Sequence, residues 1–78
     1  MSESDRLFKE LGYEKKLNLN NKGVAWGETY ISVNDFTEII FDYQDREICI
    51  AETEGKEAVY IGMDELKAIN ERVKELRW

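Results

Sequence analysis

Strand-length runs of alternating apolar and polar residues, separated by short turn segments, occupy the middle of this 78-residue chain. Strands joined by such short turns must pair antiparallel, because a parallel pair needs a crossover connection of about a dozen residues or more. The alternation predicts strands at Val24–Val33, Phe36–Tyr43, Glu47–Thr53 and Glu57–Ile61. The turn-forming residues between these strands are Asn34-Asp35, Gln44-Asp45-Arg46 and Glu54-Gly55-Lys56. The sequence therefore predicts an antiparallel meander.

A helix is predicted on each side of these strands. Ser2 or Ser4 can cap a short first helix, and Gly12 provides the left-handed residue that commonly follows a helix end. The second helix begins after Gly62, and its apolar stripe consists of Leu66, Ile69, Val73 and Leu76. Residues 1–78 are therefore expected to form a single α+β domain. It combines a short N-terminal helix, a three- to four-stranded antiparallel meander and a C-terminal helix packed on one sheet face.

The alternation also assigns side chains to the two faces of the sheet. The face expected beneath the C-terminal helix is aliphatic and carries Ile31, Val33, Ile39, Phe41, Tyr43, Ile48, Ile50, Val59 and Ile61. The opposite face is expected to carry aromatic and acidic side chains: Trp26, Glu28, Tyr30, Glu38, Asp42, Glu47 and Tyr60. One interpretation is a solvated surface partly covered by the N-terminal helix. The other is a partner-binding surface, because aromatic side chains are common interface anchors.

The net charge of −6 is concentrated in the middle of the chain. Residues 28–57 carry a net charge of −7, whereas residues 1–27 carry +1 and residues 58–78 are neutral. A surface of this sign repels nucleic acid and anionic lipid, and it favours a partner with a basic surface. No apolar run is long enough to span a membrane, and the first ten residues lack the apolar segment of a signal peptide. The single cysteine fits the cytoplasm.

Groups for catalysis are scarce in this sequence. The chain has no His, and its single cysteine, Cys49, lies in a predicted strand among acids that disfavour a reactive thiolate. A carboxylate pair such as Glu38 with Glu47 would need a cleft, which a domain of this size rarely encloses. Asp42, Asp45 and Glu47 do not have the spacing of a calcium loop. We therefore expect no enzyme activity, no cofactor and no metal ion.

Three segments resemble small uncharacterised proteins encoded by phages and prophages of Gram-positive bacteria. These segments are Leu7–Tyr13, Ile39–Asp42, and Met63–Leu76 followed by Trp78. The chain departs from the expected pattern at Arg77, where a Gly would precede the terminal aromatic residue. The resemblance implies a protein that acts in the cytoplasm of a bacterial host cell. Proteins of this kind often bind and block host proteins, including nucleases of defence systems.

Three functional hypotheses follow. The first is a non-enzymatic protein that binds and inhibits a host protein through the acidic, aromatic-bearing face, in the extreme case by imitating nucleic acid. The second is a small oligomeric protein that sequesters a nucleotide or another small signal molecule, for which the only basic cluster is Lys15-Lys16-Lys22. The third is an assembly factor with no discrete target. A homodimer is possible; a monomer that captures a basic protein favours the first hypothesis, and a dimer or larger assembly that carries a ligand favours the second.

Overall fold

A computed structural model describes residues 2–32, 34, 36–52 and 60–78 of the chain. The elements follow in the order α1 (Glu3–Glu10), β1 (Tyr13–Leu19), β2 (Ala25–Ser32), β3 (Thr37–Asp42), β4 (Glu47–Glu52) and α2 (Met63–Glu75). The strands form one four-stranded antiparallel sheet in the order β1-β2-β3-β4. The predicted α+β fold, a meander between two helices, is therefore confirmed.

The meander begins one strand earlier than the sequence pattern indicated. β1 follows Gly12 directly and pairs along its length with β2. Several predicted features lie outside the described residues: Val33, Asp35, the turn at 54–56 and residues 57–59 of the last predicted strand. Tyr60 and Ile61, at the end of that predicted strand, are described and belong to no strand.

Local signals place both helix starts where the sequence predicted them. The Ser2 hydroxyl accepts a hydrogen bond from the Asp5 backbone N–H at 3.2 Å, which satisfies one of the free donors of the first turn of α1. Gly12 ends that helix with a φ of 88°, a conformation that glycine adopts without steric cost. Gly62 precedes α2, and its backbone N–H donates to the Glu65 side chain.

Both helices pack on the same face of the sheet. The core consists of buried side chains from the helices and from three strands: Phe8, Tyr13, Tyr30, Ile39, Phe41, Ala68 and Ile69. The ring of Phe8 on α1 stacks on Tyr30 of β2, with 3.9 Å between ring centroids. The expectation that the N-terminal helix partly covers the opposite face is therefore wrong, because Phe8 and the α2 residues Ala68 and Ile69 share one core.

The register between β2 and β3 explains this difference. Tyr30 pairs with Ile39, and Glu28 pairs with Phe41, so the side chains of each pair lie on the same side of the sheet. Ile31 is opposite Glu38 and therefore points away from the core. The predicted face assignment of β2 was wrong by one residue, which moves every side chain of the strand to the other face. We call the side that the helices cover the helix face, and the other side the open face.

Candidate functional surface

The structure divides the seven residues predicted to share a partner-binding face: Trp26, Glu28, Tyr30, Glu38, Asp42, Glu47 and Tyr60. Glu28 and Tyr30 lie on the helix face, Trp26 lies at a bulge of β2 beside β1, and the three acids from β3 and β4 share the open face. Tyr60 lies outside the sheet and is 90% exposed. The predicted combination of aromatic and acidic side chains on one face is therefore wrong, and the shared face of the three acids from β3 and β4 is confirmed.

Glu28 is a buried structural carboxylate. Its side chain is fully buried and accepts hydrogen bonds from Arg72 Nε at 2.8 Å, from Arg72 Nη2 and from the Tyr43 hydroxyl at 2.7 Å. Burial raises the pKa of Glu28, but the hydrogen bonds from Arg72 and Tyr43 and the charge of Arg72 outweigh it and hold the pKa below its ordinary value. Glu28 therefore joins β2 to α2 and presents nothing to a partner.

Tyr30 has a corresponding role between β2 and α1. Its ring is 1% exposed, and its hydroxyl donates to Asp5 Oδ1 at 2.8 Å. Burial and this hydrogen bond raise the pKa of Tyr30 well above its ordinary value. Lys15 Nζ lies 3.7 Å from Asp5 Oδ1 and 3.9 Å from Glu28 Oε2, so it supports the same network. Tyr30 cannot be an exposed interface anchor.

The network continues into the contact between the two helices. The Glu75 side chain on α2 accepts hydrogen bonds from the backbone N–H of Ser4 at 3.0 Å and from the Ser4 hydroxyl. It also pairs with Arg72 Nη1 at 3.1 Å. Burial raises the pKa of Glu75, but the Ser4 hydrogen bonds and Arg72 reverse this effect and lower it to about 2. This arrangement of charges fixes α1 and α2 to each other and, through Arg72, to the sheet.

Trp26 is the one predicted aromatic residue of β2 that stays accessible. It is 45% exposed and lies with three other exposed apolar residues around the β1–β2 turn: Leu17, Leu19 and Val24. A groove of about 430 Å³ runs between Trp26, Leu17 and Leu19. This apolar patch lies at the β1 edge of the sheet, and Lys16 and Asn18 of the open face also line its groove.

The open face is arranged in rows that run across the four strands. The central row contains Lys16, Thr29, Ile40 and Cys49. One flanking row contains Glu14, Ile31, Glu38 and Ala51, and the other contains Asn18, Gly27, Asp42 and Glu47. Both helices lie on the other side of the sheet, so no described element covers these rows. The centre of the open face is therefore largely apolar, from the buried Thr29 to the half-buried Ile40 and the exposed Cys49, and acids lie on both sides of it.

The charges of the open face differ in their contacts from those of the helix face. Four carboxylates and one ammonium group project from the open face: Glu14, Glu38, Asp42, Glu47 and Lys16. None of these five forms an ion pair with another described residue, in contrast to Glu28. Asp42 has a local role, since it accepts hydrogen bonds from the backbone N–H groups of Gln44 and Asp45 in the β3–β4 turn. The open face therefore has an excess of negative charge that no described side chain neutralises.

The lysines of the predicted nucleotide site do not converge. Lys15 is on the helix face, where it faces Asp5 and Glu28, whereas Lys16 is on the open face. Lys22 lies in the turn between β1 and β2. Within the described part of the chain, the geometry gives no specific support to anion binding by these three lysines.

Comparisons with known proteins leave the site to be interpreted from its own geometry. No protein-family model, no curated protein and no solved structure matches this chain. None of the described helices is long and apolar enough to cross a lipid bilayer. No three His, Cys, Asp or Glu side chains among the described residues are grouped so that they could hold a metal ion.

Proposed function

We propose that this protein is a non-enzymatic binding protein whose open face captures and blocks a basic protein surface. The observation that carries the proposal is the sheet face that no described element covers, which combines an apolar centre with four carboxylates and one ammonium group. The apolar centre consists of Ile31, Ile40, Cys49 and Ala51.

The two parts of the open face would contribute differently to binding. Contact with the apolar centre removes hydrophobic surface from water and slows dissociation. The surrounding carboxylates steer a positively charged partner towards the face and disfavour a negatively charged one. A basic groove that normally holds nucleic acid has the complementary charge. The resemblance to phage proteins supports a host protein, such as a defence nuclease, as the target.

Stability does not depend on most of these carboxylates. Glu38 and Glu47 form no ion pair with a described residue, whereas Glu28, Glu75 and Asp5 hold the helices to the sheet. Like charges on neighbouring strands repel, so neutralising Glu38 and Glu47 should leave the fold unchanged or slightly more stable. Binding can therefore be altered without altering the fold.

Affinity capture with matched charge variants tests the proposal. Three proteins are immobilised and exposed to bacterial lysate: the parent, the open-face variant Glu38→Lys/Glu47→Lys, and the control Glu10→Lys/Glu71→Lys. The control changes the net charge equally, but at exposed Glu10 on α1 and half-buried Glu71 on α2, each of which pairs only with a residue of its own helix. We expect the parent and the control to retain the same basic protein and the open-face variant to lose it. We also expect nucleic acid to compete with the retained protein for the same site.

Equal retention by all three proteins would contradict the proposal. The unfolding curves of both variants must match that of the parent, so that a loss of binding reports the face and not the fold. The proposed mode of inhibition would also be contradicted if the retained protein were acidic. The same holds if the captured protein still bound nucleic acid as well as it does when free.

A further inference from the structure

β1 is the first strand in the sheet order, so one side of its backbone faces away from β2. The middle of this strand, residues 14–17, is exposed. An exposed edge strand is a template for pairing with a further strand, unless its side chains prevent the approach. The side chains of β1 therefore decide what this edge can accept.

A pocket opens beside the first half of β1, on the helix face. It has a volume of about 320 Å³ and lies between α1 and the start of β1. Three buried aromatic residues form its floor: Phe8, Tyr13 and Tyr30. Exposed Lys9 and Glu14 are at its rim. The pocket is apolar at its base, and the paired charges of Asp5 and Lys15 complete its lining.

The second half of β1 carries an apolar side chain that the fold does not cover. Leu17 is 52% exposed and lies on the same side of the sheet as Tyr13, because residues four apart on a strand share a face. The strand therefore has an apolar pocket at one end of its helix face and an exposed leucine at the other. Such a surface is self-complementary if two copies meet in opposite directions.

We infer that a second copy of this chain pairs antiparallel with β1, on a twofold axis at Lys15. In this register Tyr13 is opposite Leu17 of the second copy, so each leucine enters the aromatic pocket of the other chain. On the open face Glu14 is opposite Lys16 of the second copy. The twofold axis makes every contact away from the axis twice, as in an isologous interface. The two four-stranded sheets become one continuous sheet of eight strands.

Charge fixes the register. Glu14 and Lys16 form no ion pair with a described residue of their own chain, so both are available for the cross-chain pairs. A shift to the next register would place Lys16 opposite Lys16 and would lose both pairs. The two Lys15 side chains meet at the axis of the inferred register, but each is already balanced by its own Asp5 and Glu28, at 3.7 Å and 3.9 Å.

This dimer does not depend on the proposed function. Antiparallel pairing at the edge leaves both open faces on the same side of the joined sheet, so it would double that surface. The inference is tested on β1, whereas the charges altered to test the partner surface, Glu38 and Glu47, lie on β3 and β4. Failure of one can therefore be distinguished from failure of the other.

A charge-swap experiment with sedimentation equilibrium tests the interface. Glu14→Lys and Lys16→Glu are each expected to weaken dimerisation at least tenfold, because each puts like charges together twice. The double variant Glu14→Lys/Lys16→Glu exchanges the signs and should restore dimerisation to within about threefold of the parent. Lys22→Glu is the matched control for Lys16→Glu in the β1–β2 turn and should leave the dimer unchanged. Parent protein that stays monomeric at millimolar concentration, or a double variant that fails to restore the dimer, would overturn the inference.

A disulfide at the axis tests the register independently of charge. Cα atoms of directly opposed residues in an antiparallel pair are about 4.5–5.5 Å apart, within the range that a disulfide spans. In a Cys49→Ser background, Lys15→Cys should form a disulfide-linked dimer at least tenfold faster than Leu19→Cys, which lies away from the axis. Equal rates at the two positions would show that this register is wrong.

Discussion

The buried pair of Glu28 and Arg72 gives the sharpest test of how the fold is held together. In Arg72→Met the fully buried carboxylate loses both hydrogen bonds from the guanidinium group and keeps the one from Tyr43 and the ammonium group of Lys15 at 3.9 Å. Removing one partner of a buried pair costs about 3–5 kcal/mol, because the remaining charge is poorly compensated. A domain of this size has a net stability of about 3–5 kcal/mol. We therefore expect most Arg72→Met molecules to be unfolded at pH 7.

The pH dependence separates this explanation from a simple loss of packing. In the parent protein the pKa values of Glu28 and Glu75 lie below the ordinary value of 4.5, so their stabilising contribution is lost as the pH falls below 4.5. In Arg72→Met, burial without the guanidinium group raises the pKa of Glu28 above that value. Protonation then favours the folded state, and the variant should gain stability relative to the parent as the pH falls from 7 to 5.

The assay is urea unfolding monitored by circular dichroism at pH 7 and pH 5. The double variant Glu28→Gln/Arg72→Met removes both charges and should recover more than half of the lost stability, because it leaves no buried charge. The reasoning would be refuted if Arg72→Met were as stable as the parent at pH 7. It would also be refuted if the stability of Arg72→Met relative to the parent decreased as the pH falls from 7 to 5.

Two backbone positions give further predictions. Arg77 adopts a φ of 59° at the end of α2, where the Trp78 N–H donates to the Val73 carbonyl, so Arg77→Gly should stabilise the fold by about 1 kcal/mol in urea unfolding. An unchanged midpoint would contradict this. A Cβ at Gly27 would lie 2.5 Å from the backbone oxygen of Phe41, so Gly27→Ala should destabilise by about 1–3 kcal/mol. A Gly27→Ala variant as stable as the parent would show that the two strands are further apart.

The helices could be predicted because their signals are local. Ser2 and Gly12 mark the two ends of α1, and Gly62 marks the start of α2, whose apolar residues recur at helical spacing. Each of these signals lies within a few residues of the structure that it determines. Ile69 of the predicted stripe is buried, but Leu66 is 39% exposed, because Ala68 occupies the core beside Ile69. Spacing predicts which side of a helix packs, but not how deeply each side chain is buried.

The face of β2 could not be assigned from hydrophobicity. Ile31 looked like a core residue and Glu28 like a surface residue, yet their positions are reversed. Glu28 is buried because Arg72, 44 residues further along the chain, neutralises it, and no local pattern reports such a pair. A usable signal was present in the turn: a two-residue turn at Asn34-Asp35 places Tyr30 opposite Ile39, as observed.

The candidate surface was partly predictable for the same reason. Glu38, Asp42 and Glu47 were placed on one face correctly, because β3 and β4 are adjacent and a short turn fixes their register. Glu28 and Tyr30 were added to that face by the wrong assignment of β2. The apolar centre around Ile40 was visible in the alternation, but its importance follows from the position of both helices on the other side of the sheet.

Protection of Cys49 from alkylation is the most direct measurement of the central claim, that a basic partner binds the open face. Cys49 is exposed and lies opposite Ile40 in the central row, so it reports coverage of that face without any substitution. The rate of alkylation by iodoacetamide is measured with the free protein and with the protein saturated by its captured partner. We predict a rate at least tenfold lower in the complex. An unchanged rate in a saturated complex would show that the partner binds elsewhere and would contradict the account.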